Sequence, residues 1–192
     1  MGKSRAAGWV SDSPTPAQLK ELFAQIDSGR ITKERLQIFL RGEEGNWFWF
    51  TTSGLSLREL RGRNPDFFYP DPWWEKQPFS ERRGKGQEIQ LRISAPPDSF
   101  GKTWDEQKSL LDLGEFVPTA ADVVEGMFAY YRMTGERLFP NYRVRTSDVS
   151  SSGNRVIVCF GPGPNDRISV FYYWQDHRSY DSLGLAVARL PT

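Results

Sequence analysis

Four stretches near the C-terminus decide the fold: Tyr142-Arg143-Val144-Arg145-Thr146-Ser147, Arg155-Val156-Ile157-Val158-Cys159-Phe160, Arg167-Ile168-Ser169-Val170-Phe171-Tyr172-Tyr173-Trp174, and Leu183 to Leu190. Each is rich in β-branched or aromatic residues, which suit a pleated, half-buried surface. Between them lie Ser150-Ser151-Ser152-Gly153-Asn154, Gly161-Pro162-Gly163-Pro164-Asn165 and residues 176–182. Linkers this short predict antiparallel neighbours throughout, a meander over 142–190. Pairing Phe160 with Asp166 across the glycine-proline turn places Cys159 opposite Arg167.

Upstream, Thr119 through Val123, Val124, Met127, Phe128 and Tyr131 to Gly135 reads as a helix with a clear start and stop. Residues 104–113 carry Trp104, Lys108 and Leu111 at helical spacing. Gln87 to Ser94 alternates, Ile89, Leu91 and Ile93 on one face and Glu88, Gln90 and Arg92 on the other, as a half-buried strand does. Trp47-Phe48-Trp49-Phe50-Thr51-Thr52 is apolar on both faces, so both should be covered. The expectation for 43–192 is an α+β domain, an antiparallel β-meander packed on helices, with tryptophans 47, 49, 104 and 174 mostly buried.

Before that domain, residues 16–42 read as an αα-hairpin. Leu19, Leu22, Phe23 and Ile26 form one stripe, Leu36, Phe39 and Leu40 the other, with Ser28-Gly29 between. Its outline also matches a DNA-binding helix-turn-helix bearing Lys33, Arg35 and Arg41, but the second helix is short and no third helix follows. Residues 1–15, rich in Gly, Ser, Pro and Thr, read as a flexible arm.

Residues 53–86 hold Pro65, Pro70, Pro72 and Pro78, which disfavour a long regular element but allow an ordered surface loop. Within it, Phe67-Phe68-Tyr69-Pro70-Asp71-Pro72-Trp73-Trp74 concentrates aromatic residues in a chain with 13 Phe, 7 Trp and 7 Tyr. Exposed, Phe67, Phe68, Tyr69, Trp73 and Trp74 would form an interface patch for a protein partner or a second copy. Folded back, the loop is a lid on the core.

The counts narrow the chemistry. A single Cys and a single His exclude disulfides, structural zinc and His-rich metal centres, and the glycine pairs at 84–86 and 161–163 fit no nucleotide-binding loop, so no cofactor is expected. A net charge of +1 predicts no overall attraction to nucleic acid or to a membrane. No apolar run approaches the roughly 20 residues of a membrane span, and no apolar leader follows Met1-Gly2-Lys3-Ser4-Arg5, so the chain reads as cytoplasmic.

Three constellations remain. His177 would have to serve any nucleophile; strand geometry keeps it from Cys159 but brings it near Ser151, with Asp176 or Asp181 as third member of a hydrolase-like group. The acidic side chains Asp105, Glu106, Asp112 and Glu115 fall on one expected helix and Asp122 and Glu125 on the next, where general acid-base work competes with the ordinary role of a solvated helix face. Lastly, residues 137–192 hold seven Arg and no Lys. Arg143 and Arg145 share a strand face, and with Phe171 and Tyr173 they would make a platform for single-stranded nucleic acid, unless the arginine stems simply cover apolar sheet.

Several segments, namely Ser28 to Gln37, Phe39-Leu40, Gly101 to Gln107, Gly135 to Phe139, the serine loop into Arg155-Val156, and Leu183 to Arg189, resemble an uncharacterised family of short bacterial proteins found mainly in candidate-phylum genomes. The resemblance implies a free-standing cytoplasmic protein and carries no activity, ligand or catalytic residue. The sequence thus points to binding rather than metal, thiol or histidine catalysis, with a protein partner favoured over nucleic acid.

Overall fold

The computed structural model describes residues 46–70, 72–160, 167–172 and 176–190; the arm and αα-hairpin expected over 1–42 lie outside them, as do Tyr173 and Trp174. The chain divides between Asn46 and Trp47 into two units, and the elements below belong to the second. In chain order these are β1 (Trp47–Thr51), α1 (Leu57–Arg63), β2 (Glu88–Arg92), α2 (Trp104–Lys108), β3 (Glu115–Phe116), α3 (Ala120–Thr134), β4 (Arg143–Val149), β5 (Arg155–Phe160), β6 (Ile168–Phe171), β7 (Leu183–Leu185) and β8 (Ala188–Arg189). The class is α+β.

Helix α3 is bounded as its sequence dictates. Thr119 and Asp122 form a capping box, and Gly135 closes the helix at φ 69°, in the left-handed region that glycine enters without a Cβ penalty. The helix touches both sheets, packing on β1 and on β4 and β5. Gly126 makes the first approach possible: a Cβ there would stand 2.5 Å from Leu91 Cδ2 and 3.1 Å from Phe50 Cζ. Phe48 joins the same layer, stacked on Phe50 at 5.1 Å and edge-on to Tyr130 at 5.4 Å.

One sheet has the order β1-β2-β8-β3, antiparallel throughout, and the other β6-β5-β4-β7. The first two hairpins of the expected meander are present, β4 with β5 and β5 with β6. The last step is not. Leu183–Leu185 pairs in parallel with Arg143–Arg145, and Ala188–Arg189 crosses into the other sheet between β2 and β3. The reason is length: β6 stops at Phe171, so residues 172–182 are available for a crossover, close to the dozen or so that a parallel connection requires. The run 183–190 is therefore two short strands bent at Ala186-Val187, not one.

Register also differs from the sequence reading. Phe160 pairs with Ile168 and Cys159 with Ser169, two positions beyond the expected partners. Helix α2 ends at Lys108, short of the expected 113, and Glu115–Phe116 is a strand. Within the proline-rich loop, Ser56-Leu57-Arg58-Glu59 is a capping box that starts α1. Of the tryptophans expected inside, Trp49 and Trp104 are buried, while Trp47 is half-buried with the Arg189 guanidinium 4.4 Å from its ring centre. Both faces of β1 are covered, Phe48, Trp49 and Phe50 all being buried. Among the described residues, no helix is long and apolar enough to cross a membrane.

Candidate protein-binding surface

The aromatic loop is held in place before it presents anything. From α1, Arg61 pairs with the Glu75 carboxylate and donates to the Pro70 carbonyl. The Tyr69 amide donates to the Ile168 carbonyl at 3.1 Å, and Phe68 bridges Ile168 in parallel, so the loop adds to the free edge of β6. Gln77 donates to the Tyr172 hydroxyl at 3.3 Å and accepts from both the amide and hydroxyl of Ser151. Anchored on three sides, the loop needs no regular secondary structure to be ordered.

Its aromatic residues divide by role. Phe68 and Trp74 are core, 1% and 2% exposed, and their rings meet at 5.9 Å. As partner contacts both expectations are corrected: the chain dips inward at each, and burying an aromatic ring contributes more than presenting it to water. Trp73 is half-buried against Phe171 and Tyr172, with centroids at 6.0 and 4.5 Å. Phe67 and Tyr69 stay outside, 38% and 48% exposed, as does Tyr131 at 38%.

Beside Phe67 lies a cleft of about 220 Å³. Asp66 and Phe67, in the 3-10 turn Pro65–Phe67, form one wall. Met127, Phe128 and Tyr131, one turn of α3, form another, and Phe160 closes the end of β5 with Arg137 above its ring at 5.4 Å. Phe67 stands nearly perpendicular to Phe128 (5.3 Å, 74°) and to Tyr131 (6.1 Å, 73°), an edge-to-face packing that fixes the rim. The helical positions were legible as an apolar stripe; that Tyr131 would be left partly outside the core, beside a loop more than sixty residues away in the chain, was not.

The rival arginine platform is not assembled as expected. Arg145, Ile157 and Phe171 do share a row across β4, β5 and β6. Arg145 is nevertheless fully buried, donating to the Lys102 and Arg178 carbonyls at 3.0 and 2.9 Å and to Gln107 Oε1 at 2.9 Å. It cannot reach a phosphate, because α2 and the turn at 176–178 cover its end of the strand. Burial lowers its pKa, with Asp176 opposing. Arg143 is half-buried and bonds Ser182, and Phe171 lies under Trp73.

The other candidates are drawn into structural work. Ser151 donates to Gln77, Asp176 pairs with Arg155 at 3.2 Å, and His177 is exposed on its turn, so these side chains face different partners. Cys159 is buried, and burial pushes its thiol up to about 11, far from a reactive thiolate. Glu106 and Asp122 complete capping boxes, and Glu115 accepts the Asp112 amide. Glu125 accepts the Ser53 amide on both oxygens at 2.9 and 3.1 Å, yet burial raises its pKa. Among the described residues no group of three or more His, Cys, Asp or Glu could hold a metal ion.

No protein-family model, curated protein or solved structure matches this chain.

Proposed function

We propose that the chain acts by binding a partner protein through the aromatic rim of the Phe67 cleft. The observation that supports this reading is the division within one loop: Phe68 and Trp74 complete the core, while Phe67 remains exposed against Tyr131 on the cleft rim and Tyr69, two positions on, is exposed as well. Exposed rings gathered around a concavity are the usual anchors of an interface. At about 220 Å³ the cleft falls below the roughly 300–1,000 Å³ of small-molecule sites and suits one inserted side chain. Kinship with the candidate-phylum bacterial family belongs to the same proposal and adds no site residue.

The test is capture from lysate at low and high salt, with and without nuclease, using the wild type and a Phe67→Ala plus Tyr69→Ala variant. Apolar burial predicts retention at high salt and after nuclease, with loss in the double variant. Loss of every partner under nuclease would overturn the reading. A second copy of the chain counts as such a partner, and sedimentation at rising concentration detects it.

A further inference from the structure

We propose that the residue seated in the cleft is an arginine of the partner, with Asp66 as its counter-charge; this rests on the binding reading above. Asp66 is exposed in the first turn of the Pro65–Phe67 segment and lines the cleft, and among the described residues it makes no ion pair. Arg132, the arginine of α3, follows the rim residue Tyr131 and donates to Asn64 Oδ1 at 3.4 Å.

The walls suit a guanidinium on an apolar stem. Met127 and Phe128 are buried and wholly apolar, the surface along which the methylenes of an arginine pack. Phe67 stands near right angles to Phe128 and Tyr131, so rings border the space from two directions. The cleft already holds one such contact: the Arg137 guanidinium over Phe160. An arginine that enters meets in Asp66 a carboxylate able to accept two parallel N–H bonds, which offsets the like charge of Arg137 in the same lining.

The experiment titrates the ¹⁵N-labelled full chain with three capped tripeptides, acetyl-Gly-Arg-Gly-amide and its Leu and Glu counterparts. The Arg peptide is expected to shift the amides of 66–67, 127–131 and 137 selectively, and Asp66→Asn to weaken it by about tenfold, the order expected for one charge-assisted contact. Asp66 is on the surface, so a melting curve matching wild type confirms that this variant folds. If the Leu or Glu peptide binds as well or better, the arginine inference fails while the aromatic cleft remains a binding site. If no peptide shifts these amides, the inference fails, and an unaltered capture of partners by the Phe67→Ala plus Tyr69→Ala variant would remove the binding reading too.

Discussion

Trp73 packs against Phe171 with ring centroids 6.0 Å apart and planes tilted by 41°, pinning the middle of the aromatic loop to the edge strand β6. Stability and partner contact should therefore separate along the loop. Phe68→Ala should cost about 3–5 kcal/mol, as truncation of a fully buried aromatic does, and Trp73→Ala about 2, since its ring is only half covered. Tyr69→Ala should stay within about 0.5 kcal/mol of wild type. Denaturant melts of the three variants check this order, and a Trp73 change without effect would show that its ring contacts contribute nothing.

Arg145 and Arg143 should behave oppositely to what their shared strand face suggests. Arg145→Ala leaves the carbonyls of Lys102 and Arg178 and the Gln107 amide oxygen without their donor in a dry site, at a cost of about 3 kcal/mol or more. Arg143→Ala should change stability by less than about 1 kcal/mol. Chemical denaturation distinguishes them, and equal effects would contradict the burial difference.

Glu125 carries a pH signature. Its folded pKa is raised, so its contribution to stability is present below the unfolded carboxyl pKa and is lost as pH rises through the folded value. Glu125→Gln keeps an oxygen for the Ser53 amide but cannot titrate. Wild-type stability should thus gain on the variant as pH falls through the carboxylate range, followed by paired thermal melts. Asp148, buried against the Ala120 amide and Arg82, has a raised pKa for the same reason and should add to the trend in its own Asp148→Asn comparison. Glu59 and Glu106, whose capping bonds lower their pKa values, work the other way, losing their contribution as pH falls.

Gly126→Ala sets helix propensity against packing. Alanine favours the helix by about 1 kcal/mol, but its Cβ would meet Leu91 and Phe50 inside van der Waals distance, and overpacking costs about 1–3 kcal/mol. A net loss of melting temperature is expected. A gain would show that β1 and β2 yield to α3.

What the residues disclosed in advance was local. Thr119 and Gly135 bracket α3 because caps are written within a few positions of the helix they serve, and the Ser56-Glu59 box is equally local, though it opens a helix of only seven residues ahead of a proline-rich stretch. The alternation that puts Arg145 and Phe171 on one face was also legible. Its covering was not, because Gln107, Lys102 and Trp73 reach that face from distant parts of the chain. For the same reason composition could name the five aromatic candidates of the loop, but only the tertiary path decides that Phe68 turns inward and Phe67 outward.

The strand switch at Ala186-Val187 has a kinetic consequence. Leu183–Leu185 completes one sheet and Ala188–Arg189 the other, the latter against β2, where Arg189 bonds Gln90 99 residues earlier in the chain. Neither sheet is closed until this segment arrives, and contacts so distant in sequence carry a large loop-closure entropy into the folding barrier. The segment works as a clasp: folding should be slow and concerted, and amide protons of both sheets should exchange together, in a single opening event rather than two.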